Sequence, residues 1–392
     1  MPAAVEDPPG GEIPLLDLRS QHRQIQAEIS AAIGPLIERQ RFINGPEVAL
    51  FESAMADYLG VEHAIGMSSG TDALLAVLMA IGIGSGDEVI TTPFSFISTA
   101  EVILRLGARP VFADISGESY LIRPSAVRKL LSNRTRAIIP VHLYGKVCRM
   151  DELLDLSTER GIPIIEDCAQ AMGARQNDRA AGSFGLAGTF SFFPSKNLGG
   201  WGDGGMVTTN DADLAHKLRC TREHGADDNM CYPFLGGNFR LDTIQAAVLN
   251  VKLGHLDEWL KARKTAARYY VQLMVEAGLA AGQNETRHPG HHLLPPPVWD
   301  ERDHAFNLFV VQAERRDALK THLASLGIGS AVYYTTPLHL QPCLSDMGYR
   351  PGDFPAAEEA ARSVLALPLY PEIGRDQQKR VVEAIAEFYH RV

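Results

Sequence analysis

Between residues 60 and 170, short runs of almost wholly apolar residues alternate with segments whose apolar positions recur every three to four residues. The runs are HAIGM (63–67), DEVITT (87–92), RPVFADI (109–115), RAIIPVHL (136–143) and IPIIED (162–167). Between them lie TDALLAVLMAI, STAEVILRL, PSAVRKLL and MDELLDLSTER, which carry the helical period. Apolar strands alternating with amphipathic helices predict an α/β fold with a mostly parallel sheet covered on both faces. A fair helical period also covers residues 16–40, ending before the turn FINGP. A long helix is predicted over 241–277, rich in Ala, Leu, Lys and Glu and free of proline.

The remaining pattern suggests the domain layout. Residues 1–11 are Pro/Gly-rich and read as disordered. Residues 12–255 read as a large domain with an N-terminal helix. Residues 256–392 read as a connecting helix and a smaller α/β domain, with a strand at AFNLFVVQA and helices at RDALKTHLASLG and QQKRVVEAIAEFYH. The stretch 283-QNETRHPGHHLLPPPVWD-300 reads as a loop.

Composition narrows the function. The 392 residues are 45% hydrophobic and 21% charged, with a net charge of −10, which argues against nonspecific nucleic-acid or anionic-membrane binding. Any anionic ligand must be held by local groups. The five cysteines form no CxxC pair, which fits a reducing compartment and disfavours a structural zinc. The first residues lack the basic and apolar regions of a signal peptide, and the longest apolar run, 73-ALLAVLMAIGIG-84, is too short to span a bilayer. A cytoplasmic enzyme without a metal is the expectation.

Four segments put chemistry at strand ends, where open α/β sheets bind ligands. In 67-MSSGTDALLAVL-78, Gly70 and Thr71 open a helix and offer amides and a hydroxyl to a phosphate, although any helix N-cap looks similar. In 162-IPIIEDCAQAMGA-174, Glu166 and Asp167 end a strand, and Asp167 either caps the next helix or pairs with a cation. In 188-GTFSFFPSKNLGGWGDGG-205, Ser191 alternates with phenylalanines, and Lys196 precedes a glycine run that lacks the spacing of a Walker or dinucleotide motif and reads as packing and turn chemistry. In 91-TTPFSFISTAE-101, Phe94 and Phe96 offer an aromatic surface or simple core. A buried lysine, an acid, phosphate donors and a flat plate are together what pyridoxal 5′-phosphate (PLP) requires.

These motifs also resemble, in register, those of the DegT/DnrJ/EryC1/StrS sugar aminotransferases, PLP enzymes of fold type I. The likeness includes FINGPEVALFE, SSGTDAL, GDEVITTPFSF, IPIIEDCAQAMGA, SFFPSKNLGGWGDGG, GGNFRLDTIQAAVL, VYYTTPLHLQP and LALPLYPEI. The resemblance implies that Lys196 is the Schiff-base lysine and Asp167 the acid paired with the pyridine nitrogen. Gln170 would lie near the ring hydroxyl. Gly70, Thr71 and Ser191 would bind phosphate, and Phe96, rather than Phe94, would stack on the ring. Asn238 would reach the phosphate of a neighbouring subunit, so the resemblance implies a homodimer with shared active sites. Tyr334 and His339 fall in a segment that borders the substrate pocket in relatives. Arg222, His224 and Arg240 are candidate cations for a nucleotide diphosphate.

The resemblance further implies transfer of an amino group from L-glutamate or L-glutamine to a keto-sugar. The expected acceptor is a nucleotide-linked 3-keto deoxyhexose, ahead of a 4-keto one. A cyclitol aminotransferase and a non-catalytic regulatory protein of the same fold are the alternatives. Lysine at 196, where related sugar dehydratases carry histidine, favours amino transfer over dehydration. The amine should have a lowered pKa, and the glycines after it are expected to be pliable and to let the side chain swing.

Overall fold

The computed structural model of the chain describes residues 11–282, 291–296 and 303–390. The predicted disorder of residues 1–10 lies outside this range, while Gly11 is tied down by Arg380, whose Nη2 donates to the Gly11 carbonyl at 2.8 Å.

Helix α1 (Leu18–Arg39) starts where the Asp17 carboxylate accepts from the amides of Arg19 and Ser20, and ends at Gln40 in the left-handed region. Helix α2 (Pro46–Leu59) follows the FINGP turn and buries Val48, Phe51, Met55 and Leu59 on one stripe. Strand β1 (His63–Met67) then feeds α3 (Gly70–Ala80). Three strand–helix pairs come next: β2 (Glu88–Thr91) with α4 (Ser98–Arg105), β3 (Arg109–Phe112) with α5 (Pro124–Leu130), and β4 (Thr135–Ile138) with α6 (Met150–Arg160). Strand β5 (Ile165–Asp167) is followed by a small hairpin of β6 (Arg175–Gln176) and β7 (Arg179–Ala180). Strands β8 (Ala187–Ser191) and β9 (Gly205–Thr209) flank the loop that carries Lys196. Helix α7 (Ala212–Thr221) packs on β1, β9 and α3.

These strands form one sheet in the order β1-β9-β8-β5-β4-β2-β3. Parallel bridges from Ile138 to Ile164 and from Val141 to Asp167 join its two halves. Strand β9 alone runs against its neighbours, pairing Gly205 with both Met67 and Ser191. The carboxyl ends of β1, β2, β5 and β8 therefore share an edge with the start of β9. One apolar layer holds Val77, Val89 and Val207, and the opposite layer holds Phe51, Phe94 and Phe190. The mixed sheet covered by helices matches the expected fold class.

The long helix predicted over 241–277 is two helices, α8 (Thr243–Leu253) and α9 (Leu256–Glu276). The break falls at Gly254 and His255, whose amides bond three residues back instead of four, where glycine gives the helix least support. Helix α9 carries Leu260 in the first core and Tyr270 and Met274 in a second. That second core covers a smaller antiparallel sheet of β10 (Leu293–Leu294), β11 (Phe309–Ala313) and β12 (Val364–Leu367). Helices α10 (Arg316–Ser325), α11 (Pro355–Ser363) and α12 (Arg375–His390) surround it. Within the predicted loop 283–300, residues 293–294 thus form a strand, because Leu293 is buried against the second core. Residues 283–290 and 297–300 of that loop lie outside the described range. Ile13 also joins this core, bridging Ile328.

Candidate active site

At the carboxyl end of β1 the chain turns into α3 through Ser69, whose hydroxyl accepts from the Asp72 amide at 3.0 Å. Gly70 and Thr71 occupy the first helical positions, where amides have no acceptor within the helix and the helix dipole is positive. The helix start lies very close to the strands. A Cβ on Gly70 would come 2.8 Å from the Ser191 Cβ, and one on Gly205 would come 2.2 Å from the Ser69 carbonyl oxygen. Glycine is required at both contacts, and they bring the Ser191 side chain to the helix start. Two leading amides with the hydroxyls of Thr71 and Ser191 form a donor set suited to a phosphate dianion.

The two acids ending β5 point opposite ways, as successive strand residues must. Glu166 is fully buried and accepts from the amides of Gly182, Phe184 and Gly185 at 2.7 to 2.9 Å. His142 completes its shell at 3.0 Å through Nε2, while its Nδ1 accepts from the Cys148 amide. Glu166 is thus a structural anchor for the 182–185 turn. Asp167 faces the ligand edge. Its Oδ2 accepts from Thr99 Oγ1 at 2.9 Å and its Oδ1 from the Ala169 amide at 3.1 Å. Burial raises its pKa, and the Ala169 amide, Thr99, Lys196 and His142 oppose that rise by favouring the anion. The expected capping role fails, because turns and not a helix follow β5: Asp167 bonds the Ala169 amide of that turn and feels the Lys196 charge.

Lys196 leaves a turn in which its own amide donates to the Phe193 carbonyl at 2.9 Å. Burial lowers the ammonium pKa to about 8, with the Asp167 carboxylate acting against that shift. The glycines that follow are close-packed, contrary to the expected pliability. A Cβ on Gly199 would lie 2.3 Å from the Pro194 carbonyl oxygen, and on Gly200 or Gly202 it would strike the Gln245 amide. The Trp201 amide donates to Gln245 Oε1 at 2.7 Å, the Gly200 amide donates to the Phe192 carbonyl at 2.7 Å, and buried Lys252 holds the Gly199 carbonyl. Small size serves tight contact here, so any swing belongs to the lysine side chain and not to its backbone.

The two candidate aromatics separate by burial. Phe94 has no exposed surface and packs edge-on to Tyr334, whereas Phe96 is 55% exposed and free to meet a ligand face. Gln170 is locked: Oε1 accepts from the Tyr144 amide at 2.7 Å, and Nε2 donates to the Tyr334 hydroxyl at 3.3 Å. Tyr334 also lies 6.4 Å from the Phe96 ring, which places it beside the other candidates.

Other candidates sit differently. His339 is buried away from solvent, with Nε2 3.2 Å from Glu358 Oε1 and its ring edge-on to Phe354, so its contacts are structural rather than pocket-lining. Arg222 is paired internally with Glu52 at 2.5 Å and Arg240 with Glu223 at 2.8 Å. Neither guanidinium is the unpaired cation that a diphosphate contact calls for. His224 is exposed and bends the chain at a positive φ of 64°. Asn238 is exposed on a segment that bridges to the end of β1 through Arg240 and Met67, next to the phosphate-type cradle. Sequence reasoning missed Thr99, Tyr144 and Lys252. The only signal for Thr99 was its place one helical turn beyond Phe96.

Known proteins resemble this chain along nearly its whole length. The model of the DegT/DnrJ/EryC1/StrS aminotransferase family matches residues 23–386. A pleiotropic regulatory protein of Geobacillus stearothermophilus is 44% identical, over 96% of this chain and 98% of its own. The UDP-N-acetyl-3-dehydro-alpha-D-glucosamine 3-aminotransferase of Acidithiobacillus ferrooxidans is 41% identical, over 96% of this chain and 98% of its own. The crystal structure of S. venezuelae DesV superposes with a TM-score of 0.91 at 39% identity, covering 97% of this chain and 99% of that one. The chain belongs to the DegT/DnrJ/EryC1/StrS aminotransferase family and is a PLP-dependent transaminase of fold type I.

Proposed function

We propose that this aminotransferase moves an amino group from L-glutamate or L-glutamine to a nucleotide-linked 3-keto deoxyhexose. One observation carries the site assignment: a lysine with a lowered pKa, a buried acid and a close-packed helix start share one sheet edge. The name of the A. ferrooxidans relative supports amination at carbon 3, and its identity extends over nearly the whole chain.

Bound PLP supplies an electrophilic carbon that stores the amino group between half-reactions and a ring that accepts electron density. The chain supplies the rest. The amides of Gly70 and Thr71, with the hydroxyls of Thr71 and Ser191, bind the phosphate. Asp167, as the anion, would keep the ring nitrogen protonated, Phe96 would cover one ring face, and Gln170 would stand near the ring hydroxyl. Lys196 would hold the cofactor through Nζ until the donor's amine displaces it, and the freed Nζ would then carry the proton from the donor's α-carbon to the cofactor carbon that keeps the amino group. An amine of lowered pKa suits that work, since about a tenth of it is uncharged at pH 7, against less than about a thousandth for an ordinary lysine. Tyr334 borders the acceptor.

Two copies form a homodimer in which each lends Asn238 to the other's phosphate. Large exposed apolar side chains near the site, among them Phe193, Trp201 and Leu235 at 85% exposure, favour such a partner. No helix among the described residues is long and apolar enough to cross a membrane.

The test is a single-turnover experiment. Enzyme in the pyridoxamine form is mixed with UDP- and dTDP-linked 3-keto and 4-keto sugars and with a keto-cyclitol, and return of the aldehyde-form absorbance is followed. Fastest return with a 3-keto nucleotide sugar supports the proposal, and fastest return with the cyclitol overturns it. The regulatory name of the G. stearothermophilus relative raises a second reading, in which the protein binds PLP but turns nothing over. No absorbance change with any acceptor would establish that reading instead.

A further inference from the structure

The Asp167 carboxylate is gripped from behind. Besides the Ala169 amide, which any residue could supply, its direct partner is the hydroxyl of Thr99, 2.9 Å from Oδ2. Thr99 has no exposed surface and lies in the first turn of α4, three residues beyond Phe96. A threonine hydroxyl within a helix ordinarily returns to a backbone carbonyl of the preceding turn or faces water. This one instead crosses to a strand 68 residues later in the chain.

We propose that Thr99 is a positioning residue for the reaction: its hydroxyl fixes the rotation of the Asp167 carboxylate and keeps it anionic opposite the cofactor's ring nitrogen. The inference rests on the reading of Asp167 as the ring-nitrogen partner. A fully enclosed carboxylate tends to take up a proton, and each hydrogen bond donated to its anion resists that. The ionisable groups around it come from several elements. Lys196 stands on the loop after β8, His142 on the loop after β4, Tyr334 on the segment after α10 and Cys168 next in the chain. Lys196 changes its charge during turnover, whereas a threonine hydroxyl donates in every state. The loop entering α4 and the first turn of that helix thereby set both the plate for the ring face, through Phe96, and the partner of the ring nitrogen, through Thr99.

The experiment uses full-length protein loaded with PLP: wild type, Thr99→Val, Thr99→Ser and Asp167→Asn. The visible absorbance is titrated from about pH 5.5 to about pH 9.5, and PLP affinity is measured by equilibrium titration. Losing positive charge at the ring nitrogen makes the Lys196-linked chromophore hold its own proton to higher pH, so Asp167→Asn raises the midpoint. Thr99→Val, which keeps the shape but drops the hydroxyl, is expected to raise it by roughly half a unit or more and to weaken PLP binding severalfold. Thr99→Ser is expected to titrate like wild type. If Asp167→Asn shifts the midpoint while Thr99→Val does not, Thr99 only packs and the proposal fails, though the ring-nitrogen reading stands. If neither shifts, both fall. Thr99→Ala replaces the valine variant should that protein not fold.

Discussion

The ammonium of Lys252, on α8, donates to the carbonyl of Gly199 across 2.6 Å, three residues past Lys196. Lys252 is 5% exposed, and its burial lowers its pKa to about 8, with Glu372 opposing. A buried lysine thus spends its charge on holding a backbone loop. Lys252→Met should leave the Gly199 carbonyl without a donor and cost roughly 1 to 3 kcal/mol in urea unfolding at neutral pH. The sign of the pH effect is set by the lowered pKa. The folded state releases this proton near pH 8 and the unfolded chain near 10.5, so wild-type stability gains with rising pH across that window. The methionine variant lacks this gain, and the gap between the two proteins should widen from pH 8 to pH 10.

Lys196 titrates in the same range for a different purpose. Its amine must be unprotonated to attack the PLP aldehyde, and burial brings its pKa to about 8. The rate at which cofactor-free protein takes up PLP should rise through pH 8 and level off by about pH 9. An ordinary lysine would still be gaining above pH 10. Stopped-flow absorbance across this range is the measurement, and a rate still climbing at pH 10 would count against a lowered amine.

Phe94 and Phe96 should fail in opposite ways. Phe94→Ala removes a ring with no exposed surface and should cost about 3 to 5 kcal/mol of stability. Phe96 is 55% exposed, so its alanine variant should unfold within about 1 kcal/mol of wild type yet bind PLP several times more weakly. Thermal unfolding of the cofactor-free proteins and PLP titration of each would separate the two effects.

Gly205→Ala should loosen the cofactor without touching any of its donors. The added methyl would meet the Ser69 carbonyl oxygen at 2.2 Å and must push the start of α3 away from the sheet. Overpacking of this kind costs roughly 1 to 3 kcal/mol, and the displaced amides of Gly70 and Thr71 should weaken PLP binding by about tenfold or more. Inorganic phosphate competing with PLP is a direct probe, because its affinity should fall in parallel.

Much of this was legible in the chain because strand ends declare themselves. Asp167 closes an apolar run and Lys196 follows one by a short Pro-Ser turn, and an apolar run that stops at such residues locates the edge of a buried sheet. The pattern could not rank Glu166 against Asp167. Both end the same strand, and only the amides of the 182–185 turn reveal which one is absorbed by the fold. The glycines after Lys196 do serve packing and turns as read, but their expected pliability fails, because the sequence gives no sign that Gln245 packs against them. Arg222 and Arg240 were drawn toward the ligand by their charge and His339 by its place in the VYYTTPLHLQP motif, but their partners Glu52, Glu223 and Glu358 stand elsewhere in the chain. Helix α2 went unassigned, since its apolar stripe begins directly at the FINGP turn. Break points such as Gly254 and short edge strands such as β10 depend on tertiary contacts that no local window contains.

The antiparallel course of β9 has a consequence for how such enzymes diversify. Because Ser191 pairs directly with Gly205, the thirteen intervening residues, 192–204, leave and re-enter the sheet at adjacent positions, about 5 Å apart. The reactive lysine is therefore carried on a closed cassette. Its contents can be redesigned while the strands that anchor it keep their register, provided the contacts to Gln245 and Lys252 are kept.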